Sequence, residues 1–247
     1  MKAHAKASGG ATVKVVTKAP VDPQRIVAAD FLAGAGPGSD LPAPTHAEIA
    51  FGGRSNVGKS SLINTLVERQ SLVRTSSKPG STRQLNLYEA RAADGTVFHL
   101  VDLPGYGFTT RRSKAEKASW GTLIEAYLTT RATLAAVVLL VDVRRGLEDD
   151  DRDLIEFIDS AQGVSRRPVE VLIVATKLDK LPKSSRKSSL AALSASAGRK
   201  VHGFSSETAE GRPELWRALR RASLGQESAP DRGAARDEAP PPADQNG

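Results

Sequence analysis

The residues Gly53, Arg54, Ser55, Asn56, Val57, Gly58, Lys59, Ser60 and Ser61 follow the pattern G-x-x-x-x-G-K-[ST]. Each type has a chemical reason. The two glycines let the backbone bend until successive N–H groups converge on phosphate oxygens. A helix starting at the lysine adds the partial positive charge of its N-terminus. Lys59 then reaches the β- and γ-phosphates, and the Ser60 hydroxyl ligates Mg²⁺. Such a loop binds a nucleotide triphosphate without naming its base.

A second segment, Thr176, Lys177, Leu178 and Asp179, can name it. A carboxylate at 179 accepts two hydrogen bonds from the N1–H and 2-amino groups of guanine. Adenine has neither donor on that edge and would leave the acid unpaired, a large penalty for a buried group. Lys177 would lay its aliphatic stem along the base. Alone, this tetrapeptide is equally a strand-end turn carrying a surface charge. Its place about 120 residues after the phosphate loop, followed by Phe204, Ser205 and Ser206, makes it one of a set. In that last loop a backbone N–H near Ser206 would donate to the guanine O6.

Between them lie two further segments. Asp102, Leu103, Pro104, Gly105, Tyr106 and Gly107 put a carboxylate at a strand end, where it can hold Mg²⁺ through water, and a glycine whose N–H can meet the γ-phosphate. Loss of that phosphate would release the loop. The stretch Lys78–Asn86 is polar, contains one Gly and one Pro, and includes Gly80, Ser81, Thr82, Arg83 and Gln84. Its Thr82 hydroxyl is the second expected Mg²⁺ ligand; the alternative is a turn hydroxyl bonding its own backbone. Lys59, Thr82 and Gly105 are the residues expected to act directly in catalysis.

The elements that must position these loops follow from periodicity. Short apolar runs at 47–51, 134–142, 169–176 and 200–204 alternate with helical patterns at about 59–69, 112–130, 150–161, 185–197 and 213–222. Alternation of this kind implies parallel strands joined by right-handed crossovers. Runs at 85–91 and 96–101 flank Asp94-Gly95 and read as a hairpin, which supplies one antiparallel edge strand. Residues 26–41 contain the apolar Ile26, Val27, Phe31 and Leu32 and are expected to pack on the domain. The expected division is a flexible basic arm over 1–25, one nucleotide-binding domain over 26–222, and a disordered Pro-, Ala- and acid-rich tail over 223–247.

In this order, the segments EIAFGGRSNVGKSSLIN (48–64), TSSKPGSTRQLN (75–86), DLPGYG (102–107), TKLDK (176–180) and FSS (204–206) resemble the EngB family of Era-like bacterial GTPases. The similarity spans about residues 27–222 and leaves out both tails, which are longer than the family's. The sequence AFGG at 50–53 replaces the commoner AFAG. The resemblance implies an α/β P-loop GTPase fold with a mixed six-stranded, mostly parallel sheet and helices on both faces. It implies GTP and GDP as ligands with Mg²⁺, and a switch role in assembling the large ribosomal subunit. Normal cell division and septation have also been attached to the family. Relatives in the wider group ligate K⁺ at the position of Asn56, which makes a monovalent cation one role for that residue and stabilising the loop the other.

Many GTPases carry a glutamine directly after the glycine of D-x-x-G. Here Tyr106 occupies that place, and a phenol lacks the amide's paired donor and acceptor, so slow hydrolysis by the free protein is expected. An ATP-using kinase is disfavoured by Asp179. A nucleotide-gated partner of a septation protein, with incidental hydrolysis, stays open.

Composition bounds the remainder. The chain has 247 residues, no cysteine and a net charge of +7. Absence of cysteine excludes disulfides, Cys-based zinc and thiol nucleophiles. No apolar run approaches the length of a membrane span, so a cytoplasmic protein is expected. A monomer is the expected state, although no feature of the sequence fixes it. A basic body suits RNA, including rRNA of a ribosomal precursor, and equally suits a plain solvated surface. The same two readings apply to Arg111, Arg112, Lys114 and Lys117 after the metal loop. None of the histidines, His4, His46, His99 and His202, shows ligand spacing, and Trp120 and Trp216 are expected in packing.

Overall fold

The computed structural model describes residues 22, 25–36, 38–39, 41–73, 84–105, 114–160 and 168–225, with the backbone alone over 114–120. The elements in order are β1 (Ile26–Ala35), β2 (Glu48–Gly53), α1 (Lys59–Leu66), β3 (Leu85–Ala92), β4 (Val97–Asp102), α2 (Lys114–Thr130), β5 (Leu134–Asp142), α3 (Asp149–Ser160), β6 (Glu170–Thr176), α4 (Lys183–Ala197), β7 (Val201–Gly203) and α5 (Arg212–Leu224), with a 3₁₀ turn at Leu178–Lys180. They build a mixed sheet in the order β1-β3-β4-β2-β5-β6-β7.

The central strands β2 and β5 are buried along their whole length. That is why they read as continuous apolar runs, as strands covered on both faces do. Ile49 and Phe51 pack in one cluster with Leu62 and Ile63 of α1 and Leu215 and Leu219 of α5. Ala50 lies in another, with Tyr127 and Leu128 of α2 and Ile158 of α3. Alternate residues of a strand point to opposite faces, so α1 and α5 cover one side of the sheet and α2 and α3 the other. A third cluster adds Leu190 and Leu193 of α4 beside Leu139 and Val141.

The sheet has seven strands where six were expected, and its reversed strand is not at the edge. β3 runs antiparallel to both β4 and β1, so β1 takes the outer position. The register of β1 slips between Ile26 and Ala28 and again between Phe31 and Ala33. Each slip inserts a residue and breaks the period-two alternation by which a strand is read from sequence. The expected hairpin is present: Gly95 has φ 85°, and the Asp94 carboxylate accepts from the Thr96 N–H at 2.9 Å. Trp216 packs as expected; it lies 5.7 Å from the Phe98 ring and donates its indole N–H to the Leu66 carbonyl at 2.8 Å. The side chain of Trp120 lies outside the described residues. α5 continues to Leu224, two residues past the expected domain end.

Candidate nucleotide site

Four parallel strands, β2, β4, β5 and β6, end on the same side of the sheet, and the short β7 joins them. Ligand crevices of open α/β sheets lie outside such carboxyl ends. The phosphate loop leaves β2 there. A Cβ on Gly53 would stand 2.9 Å from the Leu140 carbonyl oxygen, so only glycine lets the loop cross the neighbouring strand. Gly58, at φ 105°, precedes the first helical residue, and Asn56 is also left-handed at φ 65°. Ser60 and Ser61 occupy the first turn of α1, half-buried.

Lys59 is buried, and its ammonium pairs directly with the Asp102 Oδ1 at the end of β4. The other oxygen, Asp102 Oδ2, is buried and has no hydrogen-bond partner among the described residues. An acid that keeps one oxygen unfilled beside a phosphate loop fits an outer-sphere role toward a divalent cation. Among the described residues no three acidic or histidine side chains converge as a metal site. A Mg²⁺ here therefore depends on hydroxyls and water around this one carboxylate, a donor set that suits a hard cation. Burial first, and then the charge of Asp102, push the Tyr88 phenol up to about 12.

The loop after Asp102 stays close. The Leu103 N–H donates to the Phe51 carbonyl at 3.0 Å, and a Cβ on Gly105 would meet the Ser55 Oγ at 3.2 Å. Gly105 thus sits against the phosphate loop, while Pro104 and Leu103 are buried. Gly80, Ser81, Thr82 and Arg83 lie outside the described residues, as do Tyr106, Arg111 and Arg112 and the side chains of Lys114 and Lys117. Gln84 is exposed at the start of β3.

The base-reading segment braces the phosphate loop. Thr176 Oγ1 donates to the Val57 carbonyl at 2.7 Å, and Lys177 donates its ammonium to the Asn56 carbonyl at 2.7 Å. Lys177 itself is left-handed, at φ 60°. Asp179 Oδ1 accepts from Ser205 Oγ at 2.7 Å, and Lys180 stands 3.2 Å from Oδ2. The Ser205 hydrogen bond, with Lys180 adding to it, holds the Asp179 carboxyl below the usual carboxylate range. It is an ionised acceptor throughout the neutral range, which is what a pair of guanine donors needs.

Several motif side chains are engaged within the fold. Val57, Leu178 and Phe204 are core residues, and the buried hydroxyls of Thr176 and Ser205 donate to Val57 and Asp179. Phe204 is a core residue whose N–H donates to the Ala175 carbonyl and whose carbonyl accepts from Leu178. Ser206 is half-buried, and its carbonyl faces the Thr65 hydroxyl at 3.4 Å. Arg54 pairs with Glu148 before α3.

One contributor escaped the sequence reading. Asp142, at the end of β5, accepts from Arg144 Nε at 2.9 Å, from Arg144 Nη2 at 2.7 Å and from the Arg144 N–H at 3.1 Å. Lys177 Nζ lies 3.0 Å from Oδ2, the oxygen that also accepts from Arg144 Nη2. Burial opposes ionisation of Asp142, but these donors outweigh it and hold the carboxyl well below its ordinary value. An apolar run ending in Asp was the available signal, the same one that marks Asp102.

A family model described as a 50S ribosome-binding GTPase matches residues 48–177. The probable GTP-binding protein EngB of Desulforapulum autotrophicum is 45% identical over 193 residues, which is 77% of this chain and 94% of the relative. That of Bacillus cytotoxicus is 44% identical over 187 residues, 74% and 86% of the two chains. Two solved structures share the fold at lower identity. A probable GTP-binding protein EngB superposes with a TM-score of 0.55 at 22% identity, over 72% of this chain and 99% of its own. Aquifex aeolicus Era bound to GDP and AlF4⁻ gives 0.58 at 19%, over 72% and 57%. With a phosphate loop, a guanine-type acid and relatives this similar along most of its length, the chain is a GTPase and belongs to the EngB family of GTP-binding proteins.

Proposed function

We propose that the protein is a GTP/GDP switch acting in assembly of the large ribosomal subunit, and that its guanine-nucleotide site is the one described above. The observation that carries the site is a pair of acids, one at the end of β4 and one in the 3₁₀ turn after β6. Asp102 keeps an oxygen free beside Lys59, and Asp179 is held ionised by Ser205. The ribosomal role is supported by the 50S ribosome-binding description of the matching family. A structural neighbour, Era, has been crystallised with MgGDPNP and part of 16S ribosomal RNA.

In this reading Lys59, the N–H groups of 53–61 and Gly105 hold the triphosphate, while Asp179, Lys177 and the 204–206 loop hold guanine. Ser60 and Thr82 ligate Mg²⁺, with Asp102 acting through water. When bound, the ion offsets phosphate charge. Tyr106 in place of a water-orienting amide makes the free protein slow. Asn56 is the candidate K⁺ ligand, a role that exchange of K⁺ for Na⁺ without change in turnover would remove. Among the described residues no helix is long and apolar enough to cross a membrane. We place the protein in the cytoplasm as a monomer, with residues 26–224 as its GTPase domain and both tails outside it. Normal cell division and septation would also require the protein in this reading.

Equilibrium binding of labelled GTP, GDP and ATP with and without Mg²⁺ tests the site, with guanine preference expected. Co-sedimentation with large-subunit precursors under GTP and GDP analogues tests the role, with tighter association expected in the GTP state. Partners that resist RNase and contain no ribosomal proteins would overturn it.

A further inference from the structure

One segment carries a positive surplus equal to that of the whole domain. From Lys177 to Lys200 the sequence holds seven basic residues and one acid, a net +6, whereas the rest of 26–221 carries 21 charges of each sign. This segment forms the 3₁₀ turn, α4 and the approach to β7. α4 contains no acid and no fully buried residue. It rests on the sheet through Leu190, Leu193 and Ala197. Its opposite face presents Lys183, Ser184, Lys187, Ser188, Ala191 and Ala192, all exposed.

Four cations of the segment are used within the fold: Lys177 pairs with Asp142 at 3.0 Å, Lys180 with Asp179 at 3.2 Å, and Arg186 with Glu210 and Arg199 with Asp159, each at 2.6 Å. Among the described residues no carboxylate lies in ion-pair distance of Lys183, Lys187 or Lys200, all exposed. Lys183 and Lys187, four apart, share a helix face. The residues beside them are Ser and Ala, so a ligand can approach the helix closely. A protein partner would be expected to use aromatic or large apolar anchors. The exposed ones among the described residues are Val27, Phe31, Leu32 and Leu224, none of them on α4. Lysines interleaved with serines, without anchors, suit a phosphate backbone.

We propose that the outward face of α4, with Lys183, Lys187 and Lys200, docks the phosphate backbone of RNA. This rests on the ribosomal reading above and gives that reading a surface. The face adjoins the base-reading loop, because Lys180 lies between Asp179 and the start of α4.

The test is filter binding of the full chain, with a GTP analogue, to purified large-subunit ribosomal RNA across a KCl series. In the K183Q/K187Q/K200Q variant three fewer phosphates are neutralised. The log–log salt slope should become shallower by about 2–3, and affinity at ~0.1 M salt should fall on the order of 100-fold. Labelled-GDP affinity should stay at the wild-type value. A control of equal charge loss, R25Q/R91Q/R217Q, changes exposed arginines just before β1, on β3 and on α5 and should keep wild-type RNA affinity within about threefold.

The proposal is overturned if the α4 variant binds as wild type does, if the control loses as much, or if wild type binds no RNA. It is also overturned if the variant loses only its binding to phosphatidylserine vesicles. Co-sedimentation separates the two claims. A wild-type chain that associates with large-subunit precursors alongside an α4 variant of unchanged RNA affinity removes the docking face alone. A wild-type chain that associates in neither nucleotide state removes the ribosomal role itself.

Discussion

Two buried acids stand at opposite ends of the same sheet and are treated differently by the fold. Glu48 begins β2, far from the phosphate loop, and is fully buried. Tyr127 donates its hydroxyl to one carboxylate oxygen at 3.0 Å, and Arg131 donates Nε to both at 2.8 and 2.9 Å. Asp102 ends β4 beside the phosphate loop, with Lys59 on one oxygen and no hydrogen-bond partner among the described residues on the other. A buried charge is tolerated when it is paired and its lone pairs are filled. The filled acid fastens α2 to the sheet. The other is the acid proposed above to act on Mg²⁺ through water. Burial alone therefore does not separate the two acids; the partners that packing brings to each do.

The comparison can be broken most decisively at the ligand end. Asp179→Ala removes an acceptor for two guanine donors, each worth about 1.5–3 kcal/mol when the partner is charged. GTP affinity should fall by roughly 10²–10⁴-fold, and preference over ATP should vanish, as read by titration calorimetry. Thermal stability should change little, since Asp179 is partly exposed. An intact GTP-over-ATP preference would remove the assigned role.

At the other end the effect should appear in folding. Arg131→Ala leaves Glu48 buried and without its cation, a change that costs about 3–5 kcal/mol. Urea denaturation should show this loss, while the folded fraction binds GDP as wild type does. Replacing both partners by apolar residues, Glu48→Leu with Arg131→Met, should recover most of it. If the single variant weakens GDP binding as strongly as stability, the two ends are not separate.

Asp102→Asn sharpens the contrast from the ligand side. An outer-sphere carboxylate typically contributes 10–100-fold to metal affinity. The Mg²⁺ concentration needed to tighten GTP binding should rise by about that factor. A variant with unaltered Mg²⁺ dependence would show that Asp102 serves no cation.

The smallest expected effect is a pH slope. His99 faces Glu48 in the parallel ladder and Glu89 in the antiparallel one, and its ring is 5.0 Å from His46. Burial above all, with His46 and Arg131 adding to it, lowers its pKa below 6.5 against the opposing pull of Glu48 and Glu89. Protonation thus favours the unfolded chain. The stability contribution is complete above pH 6.5 and is lost as pH falls through the lowered folded value, with a slope of up to about 1.4 kcal/mol per pH unit. His99→Gln should flatten unfolding free energy over that window. An unchanged slope would assign it to other groups, such as His202, whose pKa is lowered mainly by burial.

The sequence alone was enough for the features that local chemistry dictates. Glycines where the backbone must cross a neighbouring strand, a lysine opening a helix, an Asp-Gly hairpin and an acid after an apolar run have fixed spacings. No distant residue is needed to make them legible, so the phosphate loop, Asp102, Asp179 and the alternation of strands and helices could be read directly. What depends on partners far apart in the chain was decided only in three dimensions. β1 hid behind two bulges, because its pairing with β3 and not its own pattern makes it a strand. Glu48 and Arg131 are 83 residues apart, and Arg54 and Glu148 are 94 apart. Asp142 gains its role from Lys177, which reaches it across the β5–β6 pair. Whether a buried acid is filled or left open depends on which side chains the packing brings to it, and no local spacing records that.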